Sequence, residues 1–109
     1  MILDYTAMET THIPNFLGGE GTIHAQMRVD ELGKILKGAL DPGSSIGYHT
    51  HETSSEIIYI LSGTGKVEYD GSEEVVKAGQ CHYCPKGHSH ALINNSDGPL
   101  EFFAVVPNQ

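Results

Sequence analysis

Basic residues are scarce in this chain. Lys and Arg number 6 against 14 Asp and Glu, giving a net charge of −8, and the few cations never form a run. Nucleic acid and anionic membrane surfaces are gripped through basic patches, so neither partner is expected. Long apolar runs are also missing. Residues 57–61 form one of the longest, far below the roughly 20 residues a helix needs to span a bilayer. The opening residues Met1, Ile2, Leu3, Asp4 and Tyr5 lack the charged start and apolar stretch of a secretory signal, and a cytoplasmic location is expected. Cysteine is limited to Cys81 and Cys84. Their C-x-x-C spacing is compatible with a redox pair or half of a zinc site. The flanking residues read as a strand, however, where positions three apart face opposite ways, and no second C-x-x-C completes a zinc site. Helical patterning is absent too: no segment sustains a 3.6-residue apolar period between caps.

What is present suits one all-β domain. The 109 residues are 39% apolar and 18% charged, enough for one modest core. Glycine (13) and proline (5) punctuate the chain at short intervals. Strand-like runs fall at about 22–28, 34–40, 45–51, 55–61, 64–69, 73–77, 80–84, 89–94 and 99–106. Asp70-Gly71, between two such runs, tolerates the positive φ angles of a type I′ hairpin turn. Many short strands at regular turn spacing imply a β-sandwich or barrel, expected here over residues 22–109. Residues 1–21 are less patterned and are expected to form an arm that packs on the barrel or on a neighbour. Within it, Gly18-Gly19-Glu20-Gly21 has no Lys-Ser/Thr after it and no helix to open, so it is a flexible entry rather than a phosphate loop.

Two windows carry the chemistry. Residues 43–63 read G-x5-H-x-H-x4-E-x6-G, with His49, His51 and Glu56; residues 79–94 read G-x5-P-x-G-x2-H-x3-N, with His90. His49 and His51, two apart on a strand, share a face. Glu56 opens the next strand after a short turn, and His90 arrives from another wall of the barrel. Three imidazoles and a carboxylate form a mixed nitrogen and oxygen set for a divalent metal. Such a set can close a tetrahedral Zn²⁺ or leave two positions open on an octahedral Mn²⁺, Fe²⁺ or Ni²⁺, and it binds Cu²⁺ tightly as well. With one divalent ion the site keeps a charge of about +1, which favours an anionic ligand.

The windows resemble the two motifs of the cupin superfamily. The 15 residues between them match the short spacing of small single-domain cupins. The resemblance implies a cupin β-barrel (a double-stranded β-helix, jelly-roll-like) of two antiparallel sheets, often dimeric, with His49, His51, Glu56 and His90 as metal ligands. Residues 46–48 and 99–106 resemble small bacterial cupins often labelled mannose-6-phosphate isomerase-like, a loose analogy because fold does not fix function.

Strand parity suggests the rest of the pocket. An inward Glu56 takes Ile58 and Ile60 with it, and the last strand offers Phe102, Ala104 and Val106. Ile57, Tyr59 and Leu61 then point outward although apolar, and a second subunit is expected to cover them, making a homodimer. His82 and His24, on strands, are candidate acids or bases. Arg28, on the face of His24, is a candidate carboxylate clamp. The expected function is metal-dependent turnover of a small, anionic metabolite, of isomerase, decarboxylase or dioxygenase type. The alternative is a non-catalytic module that binds or senses a small molecule.

Overall fold

Alternation of apolar and polar side chains writes most of the strands into this chain. The computed structural model describes residues 1–109. Its strands are β1 (Thr11–Pro14), β2 (Thr22–Asp30), β3 (Gly33–Leu40), β4 (Ser45–Thr50), β5 (Glu56–Ser62), β6 (Thr64–Tyr69), β7 (Ser72–Lys77), β8 (Cys81–Cys84), β9 (Ser89–Ile93) and β10 (Leu100–Pro107). The only helical element is a 3₁₀ turn over Phe16–Gly18. No helix is long and apolar enough to cross a membrane.

The strands form two antiparallel sheets, one ordered β1-β2-β3-β10-β5-β8 and the other β4-β9-β6-β7. This is the jelly-roll expected from the sequence, with Ile23, Leu40, Ile58, Ile60, Val67, Leu92, Leu100 and Phe102 buried between the sheets. Phe102 fills the space that Gly38 leaves in the opposite strand, where an added Cβ would come within 2.5 Å of its ring. The β6–β7 hairpin turns on Asp70 (φ 48°) and Gly71 (φ 84°). Both residues are left-handed, as a type I′ turn requires.

Strand β1 lies in the stretch that carries no period in the sequence. It pairs with β2 and extends the larger sheet. Ahead of it, Tyr5 sets its ring edge-on to Phe103 at 5.8 Å and donates its hydroxyl to the Ile35 carbonyl at 3.1 Å. Gln26 donates its amide to the Tyr5 and Met8 carbonyls. These residues therefore cover part of the outer face of the larger sheet. Cys81 is exposed and Cys84 buried, on opposite faces of β8. Burial, with the charges of Glu56 and Asp70, pushes the Cys84 thiol up to about 11, which keeps it protonated and unreactive at neutral pH.

Candidate metal centre

The four polar residues of the two windows meet at one end of the barrel. His49 and His90 are direct cross-strand partners on β4 and β9. His51 follows β4, and Glu56 opens β5. A bulge in β4 decides their direction. Ser45 and Ile46 pair with Ile93 and Leu92, whereas His49 and Thr50 pair with His90 and Ser89, so one extra residue is accommodated at Gly47–Tyr48. The bulge reverses the parity of the strand. Ile46 faces the core before it, and His49 and His51 face the interior after it.

The donor atoms converge closely. His51 Nε2 lies 3.1 Å from His49 Nε2 and 3.0 Å from His90 Nε2. Glu56 Oε1 lies 2.9 Å from His90 Nε2, 3.1 Å from His51 Nε2 and 3.9 Å from His49 Nε2. The opposite ring nitrogens are all engaged. His49 Nδ1 donates to the Gly47 carbonyl at 2.7 Å, His51 Nδ1 meets the Ser54 hydroxyl at 2.7 Å, and His90 Nδ1 meets His82 Nε2 at 3.0 Å. With protons held on Nδ1, three Nε2 lone pairs and a carboxylate oxygen point at one another. Such facing acceptors repel unless a cation or protons sit between them, and outer partners on Nδ1 orient imidazoles toward a metal in this way. The donor set fits a divalent metal ion.

Local electrostatics agree. Burial pushes the Glu56 carboxyl up, but the surrounding imidazoles of His49, His51 and His90 outweigh it and hold the group well below the usual carboxylate range. Burial lowers His49, yet Glu56 and the Gly47 carbonyl raise it above its ordinary value. His82 falls to about 4, because burial and the nearby His90 both disfavour its charged form. It therefore stays neutral and can accept the His90 proton.

Beside the cluster is a cavity of about 260 Å³. Its apolar wall includes Phe16, Ile23, Met27, Leu36, Phe102 and Val106. Ile58, Ile60 and Ala104, expected in the pocket, are instead buried in the core and do not line it. Glu56 lines the cavity at the start of β5 and Ile58 and Ile60 lie further along that strand, while Ala104 is buried between the lining residues Phe102 and Val106 of β10. Arg28 does not reach it either. Ile23, Ala25 and Met27 take the inward positions of β2, leaving His24, Gln26 and Arg28 outside, where Arg28 sits 3.8 Å from Asp30. For the same reason His24 is no acid or base for this pocket. His82 points inward but stands behind His90 rather than in the cavity.

Lys34 is the charged lining residue that the sequence pattern does not single out. It lines the cavity, its ammonium lies 5.9 Å from the Phe16 ring centroid, and its charge opposes protonation of His49. Its parity with Leu36, Gly38 and Leu40, all buried, is the signal that would have found it. Phe16 and Leu17 carry no such signal. Leu17 has φ 53° and follows Asn15 at φ 51°, an irregular path that no period announces.

The family model for the Cupin domain matches residues 36–106. This chain is a cupin. An oxalate-binding protein of Thermotoga maritima is 32% identical over 112 residues, covering 97% of this chain and 93% of that protein. An uncharacterized protein of Methanocaldococcus jannaschii is 39% identical over 98 residues, 85% of this chain and 78% of its own length. Among solved structures, that of a predicted oxalate decarboxylase from Thermotoga maritima superposes with a TM-score of 0.93 at 30% identity, covering 100% of both chains. KdgF from Halomonas sp. shares the fold at a TM-score of 0.80 but only 15% identity, covering 100% of this chain and 94% of that one.

Proposed function

We propose that this cupin binds a divalent metal through His49, His51, Glu56 and His90 and captures a small carboxylate anion beside it. Lys34 carries the reading. It is the single cationic side chain lining the cavity, in a molecule of net charge −8. A lone ammonium next to a metal cluster, with apolar walls around both, suits a compact anion with one end for each cation. A bound divalent ion would supply Lewis-acid attraction for a carboxylate oxygen. Lys34 would hold the other end, and the apolar wall would exclude water. The oxalate-binding relative supports a dicarboxylate of this size, and oxalate is the first probe.

Capture ranks ahead of turnover because Lys34 is the only titratable side chain lining the cavity apart from His49, His51 and Glu56 of the cluster. Turnover of isomerase, decarboxylase or dioxygenase type is the second reading, and the Lys34 ammonium favours it as a cationic proton donor lining the cavity. Elemental analysis of protein purified without added metal is expected to find close to one tightly held ion per chain, lost in His49→Ala and His90→Ala. Calorimetric titration of the loaded protein with oxalate is expected to show saturable binding, weakened about tenfold or more in Lys34→Ala. Binding with no release of CO₂ or formate identifies capture; product release identifies turnover. An oxalate isotherm identical in wild type and Lys34→Ala would remove the lysine from the reading.

The outer row of Ile57, Tyr59 and Leu61, joined by Tyr83 on β8, remains 39%, 45%, 41% and 56% exposed. A contiguous apolar face of this kind supports the homodimer expected from the sequence.

A further inference from the structure

On the outer face of the larger sheet, away from the cavity, two imidazoles meet nitrogen to nitrogen. His12 and His24 are directly opposed in the β1–β2 ladder. Asn15 donates to the Gly21 carbonyl at 2.8 Å, which makes Asn15–Gly21 a bonded pair. Antiparallel pairs alternate between bonded and non-bonded, so Ile13–Ile23 is bonded and His12–His24 is not. Non-bonded pairs bring side chains closest. The two Nδ1 atoms lie 2.7 Å apart, with ring planes inclined at 73°. The rings are thus turned edge to edge rather than stacked.

The far side of His24 is also engaged. Its Nε2 lies 2.9 Å from Asp41 Oδ2. Asp41 follows β3, two residues beyond Ala39, the ladder partner of His24, and reaches it along the diagonal. Three neighbouring segments therefore place His12, His24 and Asp41 on one exposed face.

These contacts assign protons. A carboxylate accepts, so His24 carries its hydrogen on Nε2 and presents a bare Nδ1 lone pair to His12. A histidine held by a carboxylate on one nitrogen, with the other free, is the arrangement metal-binding proteins use to orient and strengthen a ligand. We propose that His12 Nδ1 and His24 Nδ1 form a second, solvent-facing site for a divalent transition metal, with Asp41 as its outer support. The ion takes the place of the proton shared between the rings, and water completes its shell. Metal–imidazole bonds of about 2.0–2.1 Å at a tetrahedral angle separate two nitrogens by about 3.4 Å, an opening that small ring rotations at an exposed position supply. Imidazole donors select Zn²⁺, Ni²⁺ and Cu²⁺ over Mg²⁺ and Ca²⁺. The net charge of −8 draws cations to the surface. With two protein ligands in place of four, the outer site binds more weakly than the interior cluster. It depends on neither the interior cluster nor the reading of the cavity.

Equilibrium dialysis of the full chain against Zn²⁺ tests the site. Wild type is expected to take up two ions per chain, one tight and one weaker. His12→Ala and His24→Ala each abolish the weaker class and keep the tight one; His90→Ala does the reverse. Asp41→Asn is expected to weaken the outer class about tenfold or more. His12, His24 and Asp41 lie on an outer surface whereas His90 is buried, and circular dichroism checks that each variant keeps its sheets. A single ion per chain in wild type, or a weaker class that survives either His12→Ala or His24→Ala, overturns the proposal.

Discussion

His90 presents Nε2 to the cluster because His82 occupies its other nitrogen. The pairing works only while His82 is neutral, and burial followed by the charge of His90 keeps it so by lowering it to about 4. His82→Phe removes the acceptor and is expected to weaken metal binding about 10- to 100-fold. His82→Gln keeps an oxygen in similar reach and should retain most of it; competition with a chelating dye distinguishes the two. The same residue sets an acid window. A group whose folded pKa lies below its unfolded value of about 6.5 stabilises the fold above that pH, and the contribution is lost as pH falls toward about 4. Depression of the Glu56 carboxyl acts in the same sense. Urea midpoints of the metal-free protein should therefore fall between pH 6.5 and pH 4, and less steeply in His82→Gln than in wild type. Equal slopes would assign the window to other groups.

Among the elements, β4 has the most exacting backbone. Gly47 sits in its bulge, lends its carbonyl to His49, and packs against the turn that carries Phe16 and Leu17. A Cβ at Gly47 would stand 2.0 Å from the Leu17 carbonyl oxygen and 2.7 Å from the Gly19 nitrogen, contacts with backbone that cannot swing aside. Gly47→Ala should destabilise the protein by about 1–3 kcal/mol, measured by thermal or urea unfolding, and displace the wall of the cavity. Wild-type stability in this variant would mean that the 3₁₀ turn yields freely. The strands themselves were legible from residue order. Nine runs bounded by turn residues became nine strands, since alternation and Gly, Pro and Asp punctuation are local properties. Strand β1 was not legible. Its four residues, Thr11–Pro14, show an exposed outer face with only Ile13 turned toward the core, too short a pattern to register as a period.

Charge and surface govern the whole molecule. The apolar row on β5 and β8 lies on the larger sheet, beyond the part that Tyr5 covers. A homodimer that buries this row should run at twice the chain mass of 11.8 kDa in light scattering at micromolar concentration, and Tyr59→Glu with Leu61→Glu should return it to the monomer. A monomeric wild type would leave that face for another partner.

Residue types and their spacing were enough to establish an acidic all-β chain with a His, His, Glu, His set, because ligand chemistry and strand alternation are both written in local order. Direction was settled only by folding. The bulge at Gly47–Tyr48 turns His49 and His51 inward, register places His12 against His24, and the inward positions taken by Ile23, Ala25 and Met27 send His24 and Arg28 outward. One inserted residue exchanges the two faces of a strand. Which side of a sheet a side chain serves therefore depends on pairing with strands distant in the chain.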